Sequence, residues 1–328
     1  MMKKFILQIC TFFIIIILSI GSIQNPYTSN YIDDLKRESI AVSTFNDPIF
    51  IELEQFAQKQ NQPPINAVVD KVWKAVPGLN GLEVNIEASY ERMRKDGQFS
   101  KKRVVYKQVP PEVHLSDLPP SPIYRGNSEK PMVSLLVNVA WGNEYLPSML
   151  KIMQAYNVKT TFFLDGSWTK KNPTLAKMIV DEGHEIGNHG YSHPDMKKLS
   201  KGRISEEIQK TNEVIKATLD VSPVWFAPPS GSFRQDVVDI AKSMDMYTIL
   251  WTVDTVDWRD PEPMAMVGRV LQKVEPGAMI LMHPTASSTG GLEQLIIGLK
   301  EKGYQISTVT NLLSEERIGV PSETLESY

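Results

Sequence analysis

Disulfide chemistry is excluded first. The chain of 328 residues has one cysteine, Cys10, which lies in an apolar stretch near the N-terminus. A lone cysteine forms no bridge within its own chain, and a chain this long does not need one, because it can bury a large core. Cys10 reads as a small hydrophobe, since the apolar run continues past it. Charge of one sign is also missing: 35 Lys and Arg stand against 38 Asp and Glu, a formal net charge of −3. That balance excludes the basic footprint of a nucleic-acid binder and a polybasic membrane patch. There is no internal repeat and no low-complexity tract. With 42% hydrophobic and 22% charged residues, wholesale disorder is excluded as well.

One long apolar run is present, at the start. Lys3 and Lys4 precede an uncharged stretch from Phe5 to Ile23. A positive start followed by such a run is a secretion signal or an N-terminal membrane anchor, over residues 1–24. At roughly 20 residues it is just long enough to span a bilayer. Either alternative places the rest of the chain outside the cytoplasm, secreted or anchored to the cell membrane, because the positive end stays inside.

Residues 30–115 form one compositional unit. Asp47 to Gln60 has helical spacing, Leu82 to Ile86 alternates as a half-buried strand, and Ala88 to Asp96 reads as a second helix. A small α+β domain is expected there. Residues 116–130 are rich in proline and read as a linker. From 131 to 315 short apolar runs alternate with amphipathic helices, and residues 316–328 read as a tail. Strands are expected at Val133–Val139, Thr160–Leu164, Glu185–Gly187, Val224–Phe226, Tyr247–Trp251, Ala278–Met282 and Gln305–Val309. Ser205 is the expected N-cap of a helix reaching Leu219. Strands alternating with helices imply an α/β fold of parallel units. Periodicity leaves open whether they close into a barrel or form an open doubly wound sheet.

Histidine is scarce, with five in the chain. His189 and His193 sit four apart just after an expected strand, a spacing that can present two imidazoles to one metal ion. His283 ends the strand Met279–Met282, where a general acid would stand; the alternative is a satisfied core histidine. Asp254 and Asp257 follow another strand end and can orient a histidine or simply hold a turn. Ala227-Pro228-Pro229-Ser230 reads as a rigid turn lining the same face. His184 reads as structural.

These pieces, in this order, resemble the polysaccharide deacetylase (NodB-homology, carbohydrate esterase 4) family. Asn138-Val139-Ala140-Trp141-Gly142 falls where the family has Thr-Phe-Asp-Asp. Asn188-His189 to His193 matches the metal-binding histidine motif. Phe226 to Pro229 matches an Arg-Pro-Pro-aromatic motif, Asp254 to Trp258 matches Asp-x-x-Asp-Trp, and Leu281-Met282-His283 matches Leu-x-His. Among such proteins the chain is similar to sporulation-associated deacetylases of bacilli. The resemblance implies a distorted (β/α)7-type barrel. It also implies metal-dependent hydrolysis of the non-peptide C–N bond of N-acetyl sugars in cell-wall, peptidoglycan-type carbohydrate. His189 and His193 would hold a divalent metal, expected to be zinc, and His283 would be the acid, oriented by Asp254. Trp141, Pro228, Pro229, Ser230, Asp257 and Trp258 would contact an N-acetylated glycan.

The aspartates are missing. On this reading Asn138 stands at the position of the base and Val139 at that of the metal ligand, while Ala227 replaces an arginine. An amide takes no proton near neutral pH, and loss of a positioned base removes roughly two to four orders of magnitude in rate. Glu144, Asn143 and Arg234 are the candidates to compensate. Two functions follow: a divergent N-deacetylase, or a glycan-binding or scaffold pseudoenzyme that has kept the groove.

Overall fold

The computed structural model describes residues 47–320. The stretch 1–24, read as a signal or anchor, lies outside the described residues, as does 321–328 of the tail. The described chain divides into a smaller unit, 47–61 with 83–106, and a larger one, 62–82 with 107–320.

The smaller unit is built on two helices, Pro48–Gln60 and Ile86–Met93. Asp47 caps the first by accepting from Ile49 N at 2.8 Å, and Pro48 takes the first helical position, where its missing N–H is not needed. Ile49, Leu53 and Ala57 recur at helical spacing and bury one stripe against Val84 and Met93. This unit is smaller than the domain expected over 30–115, because 62–82 and 107–115 belong with the larger unit.

In chain order the strands are β1 (Val68–Asp70), β2 (Lys74–Val76), β3 (Gly81–Val84), β4 (Tyr106–Val109), β5 (Met132–Val139), β6 (Thr161–Leu164), β7 (Glu185–Asn188), β8 (Trp225–Phe226), β9 (Tyr247–Thr248), β10 (Val253–Asp254), β11 (Met279–Met282) and β12 (Gln305–Ile306). The larger unit holds a parallel sheet in the order β10-β11-β5-β6-β7-β8-β9, with β12 also on β5. Parallel neighbours need crossovers. Helices supply them, among them Leu146–Ala155 between β5 and β6 and Lys201–Leu219 between β7 and β8. Ser200, rather than Ser205, caps the latter. The sheet curls into a half-barrel, which resolves the alternative that periodicity left open.

The stretch read as a linker is part of this body. Ile123 is fully buried and bridges Ile249, and Arg125 bridges Ala278, next to β11. Ile123 donates to Thr248 O at 2.8 Å and accepts from Leu250 N at 2.8 Å. Residues 123–125 therefore lie along the seam between β9 and β10, the two ends of the strand order. Prolines on either side hold the segment extended, which is also the backbone that a seam strand requires.

Side-chain parity along β5 fixes what faces the site. Val133, Leu135, Val137 and Val139 enter the core cluster that also holds helix residues such as Met149 and Leu295. Met132 and Leu136 enter a second cluster on the other face, with Phe163 and Met279. Successive strand side chains alternate faces, so Asn138 sits on the side of Leu136 and Val139 on the side of the helices.

Candidate functional site

The site lies at the C-terminal ends of the strands, where a barrel of βα units places its chemistry. Asn138 is the last residue but one of β5, His189 follows β7, Ala227 follows β8, Asp254 ends β10 and His283 follows β11. Asn138, Asp254 and His283 line a cavity of about 400 Å³ whose wall also includes Trp141, His193 and Trp258, while the buried His189 and Ala227 do not line it. Ser230 also lines it; Pro228, Pro229 and Asp257 do not.

His189 is 1% exposed, and its Nδ1 stands 2.8 Å from Ala227 O. A carbonyl only accepts, so Nδ1 carries the proton and Nε2 is left as the available ligand atom. Burial, reinforced by His193, pushes the His189 imidazole down to about 3. The two rings lie 5.2 Å apart. His193 has φ +55°, a left-handed conformation that the surrounding loop must hold. Glu207, buried, does this: it accepts from Tyr191 N, Ser192 N and Ser192 Oγ, each at 2.8 Å. Asn188 steadies the same loop by accepting from Gly190 N at 2.8 Å.

His283 is held by Asp257, not by Asp254. Asp257 Oδ1 stands 2.8 Å from His283 Nδ1, and its Oδ2 accepts from His283 N at 2.6 Å and from Ser288 Oγ. Burial alone would raise the Asp257 carboxyl, but His283 and Ser288 outweigh it and hold the group below its ordinary range. Asp254 instead accepts from Val256 N at 2.7 Å, in a turn that puts Val256 at φ +54°. The expected orienting role of Asp254, and the expected glycan contact of the buried Asp257, are both corrected by this geometry.

The altered first motif also needs correction. Taken in its own order, Thr-Phe-Asp-Asp on Asn138-Val139-Ala140-Trp141 sets the two aspartates at Ala140 and Trp141. Strand parity agrees, because Val139 is turned into the helix-side core, away from the histidines. Gly142 follows at φ +81°, and a Cβ there would lie 2.0 Å from Pro284 O. Only glycine permits this approach, which brings the loop carrying Trp141 against the His283 segment. The Trp141 indole stacks on His283 (centroids 5.2 Å apart, 15° between planes) and meets His193 edge-on at 6.1 Å.

A metal site does not fit these residues. A catalytic zinc normally takes three protein ligands, and among the described residues no group of three or more His, Cys, Asp or Glu is placed to hold a metal ion. The candidates for compensation are engaged or outside. Asn143 Oδ1 accepts from Trp168 Nε1 at 2.6 Å. Arg234 donates to Met196, Lys197 and Leu199 carbonyls. Glu144 is exposed and does not line the cavity. One carboxylate that the sequence reading missed, Asp165, follows β6 and is 3% exposed. It caps the helix Gly166–Lys171 by accepting from Trp168 N at 2.8 Å. Burial raises its carboxyl, partly offset by Trp168, Ser167 and His193.

A family model described as polysaccharide deacetylase matches residues 125–249. The YlxY protein of Bacillus subtilis is 52% identical over 97% of this chain and 99% of its own length. The peptidoglycan-N-acetylmuramic acid deacetylase PdaA of the same organism is 30% identical over 61% of this chain and 78% of its own length. A solved structure from Bacillus anthracis, described as a CE4 family pseudoenzyme, is 51% identical with a TM-score of 0.79, covering 83% of this chain and 97% of that one. A mutant of that protein is described as having restored enzymatic activity.

Proposed function

Since the chain belongs to the polysaccharide deacetylase family, we propose that it is a non-hydrolysing member that binds N-acetylated cell-wall glycan in the groove where its relatives cut. The observation that carries this reading is Trp141. An indole stands where the motif has a ligand carboxylate, packed on both His283 and His193. Without the two aspartates the first motif supplies neither a base for a water molecule nor a third metal ligand. The kept His283–Asp257 pair, at 2.8 Å, favours the other reading, a divergent deacetylase. An acid alone gives no hydrolysis, because no nucleophile is generated. Indoles at the cavity wall offer stacking faces for sugar rings: Trp141 is 43% and Trp258 52% exposed. On this reading the chain works outside the cytoplasm, where such glycan lies, as the Lys3-Lys4 start and the uncharged run imply.

The test is acetate release from N-acetylglucosamine oligomers and peptidoglycan, with zinc added, beside a direct binding titration. Binding without acetate is expected. Release that His189→Ala abolishes would instead establish the deacetylase.

A further inference from the structure

We propose that the cavity reads de-N-acetylated residues within the cell-wall glycan, taking a protonated amino sugar in preference to the intact acetamide. This rests on the groove being a non-hydrolysing glycan site and names what that site selects.

Three indoles, Trp141, Trp251 and Trp258, line the cavity. Their faces carry partial negative charge and attract ammonium groups. Among the described residues, Asp254 is the one carboxylate on the wall. Its Oδ1 accepts from Val256 N at 2.7 Å, and no protein donor among the described residues uses the other oxygen. Asn138, 3% exposed, lines the same cavity, and its Oδ1 has no hydrogen-bond partner. A buried acceptor without a donor is costly unless a ligand supplies one. No Lys or Arg among the described residues lines the cavity. The nearby Arg259 guanidinium lies over the Trp258 ring, 4.6 Å from its centroid.

The donor count separates the two ligands. A glucosamine ammonium brings three N–H donors and one positive charge. It suits a carboxylate, an unused amide oxygen and aromatic faces together. An acetamide brings one N–H, no charge, and a carbonyl that itself needs a donor. The preferred ligand is the product of hydrolytic N-deacetylation, so an active deacetylase must act on the glycan to create the form this chain binds more tightly.

The full chain is titrated by calorimetry with a glucosamine oligomer and with the same oligomer after chemical N-acetylation, at low salt, with acetate assayed in each mixture. The glucosamine form is expected to bind about tenfold tighter. Raising the salt should shrink that preference, and Asp254→Asn should abolish it. The asparagine keeps an acceptor for Val256 N, so the turn is retained. Equal binding, or tighter binding of the acetylated form, overturns the proposal and leaves the glycan-binding reading standing. Acetate release sinks the non-hydrolysing reading, whatever the preference. Failure of both oligomers to bind overturns both. Should Asp254→Asn not fold, a preference in the native protein that salt leaves unchanged would also overturn the proposal.

Discussion

At Trp141 the loss of chemistry is a packed arrangement rather than a gap. The indole rests on His283 and touches His193, so it fills the space beside both histidines where the motif would place a carboxylate. The corrected register makes a discriminating prediction. Ala140→Asp with Trp141→Asp should raise zinc affinity by about tenfold or more, measured by calorimetry, because it returns a third ligand. Asn138→Asp with Val139→Asp should not. Val139 is fully buried among apolar side chains, so a carboxylate there costs about 3 kcal/mol or more, read as a lower urea midpoint. Zinc binding gained by the second pair and not by the first would restore the original register. Asp257 offers a pH test. Its folded-state value lies below the unfolded one, so its stabilisation is present above the unfolded carboxylate value and is lost as pH falls through the folded one. The acid limb of a stability–pH curve should flatten in Asp257→Asn, compared with the native protein.

Elements were read more easily than the contacts between them. Alternating strands and helices gave the parallel units, and motif order gave the face on which His189, His193 and His283 meet. Three features escaped for physical reasons. Glu207 sits inside the helix Lys201–Leu219, where a glutamate ordinarily belongs to the solvated face, yet it is turned inward to the histidine loop. Asp165 carries no motif, and its helix-cap role is common to many aspartates. Asp257 and Asp254 lie three apart at the same strand end, and only the left-handed turn at Val256 decides which one reaches His283. Glu207 also has a consequence for the loop as a whole. Glu207→Ala removes three acceptors and should destabilise the protein by about 2–4 kcal/mol in urea unfolding. The loss should be accompanied by weaker protection of Tyr191 and Ser192 amides in hydrogen exchange. Unchanged protection there would show that the loop holds His193 in place without Glu207.

Across the whole molecule, the seam and the buried His184 set how the larger unit comes apart. Ile123 lies on the seam, fully buried, so Ile123→Ala should cost about 2–5 kcal/mol as a cavity between β9 and its neighbours. A removable linker would cost almost nothing. His184, 6% exposed, accepts from Thr160 N at 3.2 Å and meets the Phe162 ring edge-on. Burial, aided by Lys159, pushes it down to about 4 from an ordinary 6.5. Between those values the unfolded chain binds a proton that the folded protein refuses, so stability must rise with pH across that window. The native protein should therefore lose stability as pH falls from 6.5 toward 4, with a contribution from His184 of at most about 1.4 kcal/mol per pH unit. His184→Gln removes the titrating group while keeping an acceptor for Thr160 N. Its urea midpoint should fall less steeply over the same interval, even if its stability at neutral pH is lower. An equal slope in both proteins would mean that His184 is protonated in the fold, which its burial beside Lys159 and the ring of Phe162 argues against.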